Sequence, residues 1–462
     1  MAGIPPRSRG KAVVRTSGSY SARRFLLPVQ KFVHTEVSGG IVLLAAAVAA
    51  LVWANSPWAD SYEALWSTVA SLRIGSFLLA HSLREWVNDA LMVLFFFVVG
   101  LELKRELLRG ELSDWQRASL PVAAALGGMI VPASLYIIFN YSQPTEHGWG
   151  IPMATDIAFA LGVLAMLGHR IPSSLRVFLL ALATVDDVGA ILVIAVFYSG
   201  RLMAVALVFG LVLITMIVVM QRLGVRNLLY YVPVAALFWL AVLASGVHAT
   251  IAGVILGFLT PIRPYVTKEA FSQSGVRLTS EVQQAVAVGD GNQAEGLLGQ
   301  IEELTAATEA PADRLIRLLH PWSSFLVLPI FALANAGVVL TTETLQHALA
   351  GPVSVSRGIL VGLVIGKPLG IASFAFFAVR LRLARLVGNV RWAHLFGVGF
   401  LGGIGFTVSL FISDLAFADP AVADRAKMGV LIGSLVAGIA GYLILRVVSA
   451  RVARSRIARQ GI

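Results

Sequence analysis

The sequence predicts an all-α membrane protein of about twelve transmembrane helices. Three observations carry that reading. Of 462 residues, 57% are hydrophobic and only 13% charged, where a soluble domain averages roughly 25% charged. The mean hydropathy is +0.81. The apolar residues gather into runs close to the ~20 that a helix needs to cross a bilayer. A soluble globular enzyme, a disordered chain and a fibrous repeat are thereby excluded. With no cysteine, disulfides and thiol chemistry are excluded too.

In chain order, residues 1–37 form a basic tail with seven Lys and Arg and no acid before Glu36. It lacks the apolar core of a secretory signal and reads as a cytoplasmic tail rather than a transit peptide. Spans 1–8 fill 38–264, at 38–54, 87–103, 118–139, 151–167, 176–197, 202–220, 228–244 and 246–260. The last of these is short, and 151–167 is interrupted by polar residues. The interval 55–86 has no helical pattern, and weak alternation over 70–79 suggests a periplasmic hairpin. Residues 265–319 form an acidic cytoplasmic insert, with eight acids against Lys268 and Arg277 over 265–313. Residues 295–308 read as a short amphipathic helix and the remainder as a solvated linker. Spans 9–12 fill 320–447, at 320–339, 358–379, 393–416 and 428–446, and a second basic tail occupies 448–462.

The basic residues test this order. With twelve spans, the termini and even-numbered loops hold 29 Lys and Arg, the opposite side holds 6, and Lys367 lies inside a span. That asymmetry places both termini in the cytoplasm. It also accounts for the net charge of +11 without a nucleic-acid partner.

Ionisable residues inside spans are expensive and therefore functional candidates. Asp156 follows Pro152-Met153-Ala154-Thr155, where a continuous helix is unfavourable. Asp186 and Asp187 lie in the middle of the fifth span. Adjacent helical residues point about 100° apart, so one carboxylate faces a cavity while the other meets a neighbouring helix. Lys367, followed by Pro368, calls for an aspartate partner. Glu102, Asp89 and Asp414 lie near span ends, and Asp414 receives no role. The glycines at 402, 403 and 405 interrupt the eleventh span. Spans 151–167 and 393–416 are each second in a group of three, and the groups start on opposite sides. Two inverted three-helix repeats with two discontinuous, crossing helices point to a transporter with a midplane site. In such a crossing an acid offsets the paired helix N-termini and a base the paired C-termini, parts that suit Asp156 and Lys367.

The motifs Ala154-Thr155-Asp156-Ile157-Ala158-Phe159-Ala160, Asp186-Asp187, Ser245-Gly246-Val247-His248-Ala249-Thr250, Gly366-Lys367-Pro368-Leu369-Gly370 and Gly403-Ile404-Gly405-Phe406-Thr407 together resemble the NhaA family of sodium/proton antiporters. So does Val99-Gly100-Leu101-Glu102-Leu103-Lys104-Arg105-Glu106-Leu107. The match runs from about residue 38 to 448, apart from the insert. (This family is itself a known example of the inverted-repeat organisation, so that agreement is not independent support.)

The resemblance implies a secondary active Na⁺(Li⁺)/H⁺ antiporter of the bacterial inner membrane, electrogenic and controlling internal pH and sodium. Asp187 resembles the carboxylate that alternately binds Na⁺ or Li⁺ and protons, with Asp186 beside it and Thr155 as a further ligand. Thr155 and Asp156 resemble the extended residues where the helices cross. Lys367 is similar to a lysine that pairs with an aspartate or carries a proton itself. Glu102 resembles a funnel acid, and His248 a histidine linked to pH response. A homodimer joined near 70–79 is implied, with no cofactor and no enzymatic activity. One departure stands out. Where the family often has an acid and a histidine before His320-Pro321-Trp322, this chain has Ile316 and Arg317, so pH activation is expected to be shifted or absent.

Competition for the same carboxylates suffices for coupling, because a protonated acid is a poor Na⁺ ligand and bound Na⁺ favours the ionised form. A passive cation channel is the alternative in the same class. A retinal-type pigment using Lys367 and an intramembrane protease pairing Asp156 with Asp186 or Asp187 are alternatives from other classes.

Overall fold

The computed structural model describes residues 36–74, 77–168, 171–340, 355–386 and 390–460. Among them, seven helices are long and apolar enough to cross a membrane, and ten if each of three bent pairs counts as one span. The seven are α3 (Leu83–Arg109), α4 (Trp115–Asn140), α6 (Ser173–Phe197), α7 (Ala204–Arg222), α12 (Pro311–Asn335), α13 (Val355–Arg380) and α16 (Pro420–Gln460). The apolar runs at 228–244 and 246–260 form shorter helices, α8 (Tyr231–Ala244) and α9 (Thr250–Leu259). At ~1.5 Å per residue, α9 is only about 15 Å long.

The first bent pair is α1 (Glu36–Ala54) and α2 (Ala59–Ser67), at 113°. Pro57 withholds a backbone donor at the corner, and Asn55 Nδ2 donates to Leu51 O at 2.8 Å, satisfying one of the last carbonyls of α1. Helix α2 corrects the expectation that 55–86 holds no helix. Its nine residues bury only Tyr62 and Trp66, too few positions for a period to show. An antiparallel hairpin follows, β1 (Val69–Ile74) against β2 (Phe77–Ser82), with Val69 opposite Ser82.

The second pair joins the 3₁₀ segment Pro144–Met153 to α5 (Ile157–Met166) at 44°. The third joins α14 (Trp392–Gly402) to α15 (Phe406–Ala416) at 46°. These breaks fall on Thr155-Asp156 and on the 402–405 glycines.

The insert is a second correction. It is a helical hairpin, α10 (Lys268–Val288) and α11 (Gly291–Thr308), not a linker with one short helix. Gly289 turns the chain at φ 82°, where a side chain would be strained, and Asp290 caps α11. Leu278, Val282 and Ala285 pack on Ala294, Leu297, Ile301 and Leu304. This stripe at three- and four-residue spacing is narrow, and the acids around it dominate the sequence pattern. Helix α12 also begins earlier than the expected span at 320, at Pro311.

The closest helix approach sets the site. Gly127 on α4 and Gly370 on α13 meet backbone to backbone, so that a Cβ on either would strike the other's carbonyl oxygen. The contact brings the side chain of Lys367 against Gly128. Gly127→Ala is therefore expected to cost roughly 1–3 kcal/mol. A thermal midpoint in detergent equal to that of wild type would show that the helices separate freely.

Candidate functional site

At the first break, Ala154 and Asp156 have extended backbones (φ −75°, ψ 151° and φ −86°, ψ 103°). Asp156 is the N-cap of α5, and its Oδ1 accepts from Phe159 N at 3.2 Å. Its Oδ2 accepts from Thr407 N at 3.1 Å and from Thr407 Oγ1 at 2.6 Å, in the first turn of α15. Asp156 N donates back to Ile404 O at 2.6 Å. One carboxylate thus serves two half-helix N-termini, each the positive end of its dipole. Ser434 Oγ on α16 accepts from Gly405 N and Phe406 N, both at 3.2 Å, and completes the second cap.

Lys367 is fully buried. It follows the π-helical segment Gly362–Gly366, and Pro368 behind it lacks the donor that a regular ladder needs at that turn. Lys367 Nζ donates to Asp186 Oδ2 at 2.5 Å and to Thr155 Oγ1 at 3.0 Å. Thr155 Oγ1 lies 2.7 Å from Asp186 Oδ2 and 2.8 Å from Gly402 O, the last residue of α14. The expected base at the helix C-termini is therefore met only through Thr155, because the lysine turns to the Asp186 carboxyl. Asp186 Oδ1 has no hydrogen-bond partner among the described residues.

Asp187 is buried, as Asp186 is, but is engaged differently. It makes no hydrogen bond or ion pair among the described residues, and it lines a cavity of about 460 Å³ with Thr155, Asp156 and Thr407. Glu102, Arg105, Arg317 and His320 line the same cavity. Glu102 Oε1 lies 3.1 Å from His320 Nδ1. Ile316 packs with Leu101, Ile262 and Ala312 at the cavity wall. Arg317 Nη2 bonds Glu309 Oε2 at 2.6 Å, and this bond holds the Glu309 carboxyl below its ordinary range.

Asp156, Thr155, Asp186, Asp187 and Lys367 come together, with Glu102 in the same cavity. His248 is not brought there. It lies partly buried and edge-on to Phe411, with ring centroids 5.8 Å apart. Two residues appear in the quoted motifs without a role and acquire one here: Thr407 as the second ligand of Asp156, and His320 as the neighbour of Glu102.

The sequence pattern of the family described as Na⁺/H⁺ antiporter 1 matches residues 30–445. The chain is 46% identical over 430 residues to the Na⁺/H⁺ antiporter NhaA 2 of Sorangium cellulosum, covering 92% of this chain and 91% of that protein. It is 47% identical over 422 residues to the Na⁺/H⁺ antiporter NhaA of Rhodopirellula baltica, covering 91% and 94%. With the Na⁺/H⁺ antiporter NhaA of Acidithiobacillus ferrooxidans it shares 46% over 430 residues, covering 92% and 98%.

Proposed function

The chain belongs to the Na⁺/H⁺ antiporter 1 family, and we propose that it exports Na⁺ in exchange for protons by alternating access, with Asp187 as the carboxylate that binds one or the other. The observation that carries this assignment is the asymmetry of the two aspartates. Asp186 is engaged by Lys367, while Asp187 faces the cavity without a fixed partner. Only a carboxylate in the second situation is free to trade a proton for a hard cation. Thr155 Oγ1 and backbone carbonyls suit Na⁺ or Li⁺ as further oxygen ligands.

We assign the second proton of the cycle to the Asp186–Lys367 pair. Two protons against one Na⁺ move net charge, so the membrane potential drives Na⁺ out. The twelve-span reading counts the three bent pairs and adds α8 and α9 to the seven long helices. The bends of 44° and 46°, one in each group of three, support the inverted repeat and the crossing. The charge asymmetry supports an inner-membrane protein with cytoplasmic termini, and the β1–β2 hairpin is the surface we assign to a homodimer. Glu102 and His320 stand at the cytoplasmic mouth of this path, and His248 stands off it.

The test is ΔpH in proteoliposomes on adding Na⁺, Li⁺ or K⁺. Na⁺ is expected to drive proton movement. A Na⁺ flux without proton movement would instead mean a channel, and no response at any pH would overturn the reading. Its pH profile is a second expectation. The lowered Glu309 value keeps the Glu309–Arg317 tie intact at neutral pH and releases it only as pH falls through that value. Between about pH 6 and about pH 9 the tie contributes no inflection, so an inflection there that disappears in Glu309→Gln would contradict the assignment.

A further inference from the structure

We propose that the Asp414–Lys427 ion pair is a positioning lock: it holds α15, and through it Thr407 and Asp156, in the arrangement that is open to the cavity and closed on the opposite face. The inference rests on the antiport reading for its meaning, but its structural premises do not.

Asp414 sits seven residues beyond Thr407 on α15. Two helical turns, about 10 Å, put both side chains on one face of a rigid rod. Whatever fixes Asp414 therefore fixes the half-helix that carries the second ligand of Asp156. Lys427 Nζ on α16 lies 2.6 Å from Asp414 Oδ1, with the side chains only 6% and 18% exposed. Asp414 Oδ2 has no hydrogen-bond partner among the described residues, so this carboxylate is held from one side only.

The pair faces a second ion pair on other helices. Arg84 Nη2 bonds Glu63 Oε2 at 2.9 Å, and Arg84 Nε donates to Ala334 O at 3.2 Å near the end of α12. Tyr62 OH donates to the Leu333 and Ala334 carbonyls, at 2.9 and 3.0 Å. Arg84 is within electrostatic reach of Asp414, and Asp424, one turn before Lys427, is within reach of all the others. Two bases thus face three acids where α15 and α16 meet α2, α3 and α12. Without Lys427 the direct tie of α15 to α16 is lost, and Asp414 is left largely buried without its base.

Between the lock and the site stands Phe411, one turn beyond Thr407. Its ring centroid is 5.5 Å from that of Phe96 on α3 and 6.2 Å from that of Phe331 on α12. All three rings are buried. Movement of α15 away from α3 and α12 would withdraw Phe411 from this plug and open the face away from the cavity. Buried ion pairs add little net stability, but losing one partner is costly, which suits a two-state latch.

The test uses the absence of cysteine from the chain. Ser413 is fully buried beside Asp414, so Ser413→Cys reports access from the opposite face to a membrane-impermeant thiol reagent. In Lys427→Ala the labelling rate is expected to rise roughly tenfold, and the apparent KM for Na⁺ on the cavity side to rise by a smaller factor, because the cavity-open state is depopulated. Lys427→Arg is expected to restore both. Should Lys427→Ala fail to reach the membrane, Lys427→Met, which keeps the apolar stem but not the charge, carries the same expectation. Unchanged labelling in a variant present at wild-type level, or a rise that Lys427→Arg does not reverse, would overturn the lock. Labelling is read without transport, so a rise in protein that exchanges no ions would keep the lock and reject antiport.

Discussion

Replacing Asp187 by Asn is expected to reduce Na⁺-driven proton movement to vesicle background while leaving the protein folded. The two halves of that expectation have separate causes. Asn keeps the size of the side chain and offers one carbonyl oxygen, but it neither ionises nor carries a proton. Groups that transfer protons contribute roughly 10²–10⁴-fold to their reactions, and in the proposed cycle the same group is also the cation ligand. Folding is spared because Asp187 makes no hydrogen bond or ion pair among the described residues and opens on the cavity. The measurement is ΔpH on Na⁺ addition, beside membrane level and thermal midpoint. Residual exchange above about one tenth of wild type would move the carrier role to another carboxylate.

This asymmetry was only half legible in the sequence. Two adjacent acids in an apolar run must point about 100° apart, so unequal roles are readable from Asp186-Asp187 alone. Which of them meets Lys367 is not, because the answer depends on where α13 approaches α6. Both helices pack on α4, where α13 is seated by Gly127 against Gly370, 243 positions apart. Asp156 is similar. Pro152 and the polar pair after it disclose a break, but the carboxylate's second helix is reached through Thr407, 251 residues away. The structure adds that one carboxylate serves both caps.

The misses have a common physical origin. Periodicity is visible when a long segment buries one face in lipid or core. Helix α2 buries two residues, and α10 packs only the narrow stripe of Leu278, Val282 and Ala285, so neither announces itself. Asp414 shows no role in the sequence because its partner, Lys427, precedes the span expected at 428. Helix α16 begins at Pro420, and the pair forms in that additional helix beyond the apolar run. Ionisable residues at span ends are usually solvated, so only burial distinguishes this pair from ordinary loop charge.

Lys367→Ala is expected to be the most destabilising single change at the site, about 3–5 kcal/mol. Nearly all of that would come from what remains. Asp186 would stay buried with Thr155 Oγ1 as its sole partner among the described residues and with Oδ1 already unpartnered. Asp186→Asn leaves the ammonium of Lys367 in the same position with Thr155 as acceptor, and a smaller but substantial loss is expected. Asp186→Asn combined with Lys367→Gln removes both charges, so it is expected to be more stable than either single variant, giving a large favourable coupling in a double-mutant cycle. Additive losses would mean that the 2.5 Å pair is not what holds these helices together. The same neutral pair tests the proton count. With Asp187 untouched, exchange should persist at reduced rate, and the charge moved per Na⁺ should fall, because the second proton has lost its carrier. If the neutral pair still moves the wild-type charge, the Asp186–Lys367 bridge is purely structural, and the second proton belongs to a group outside it.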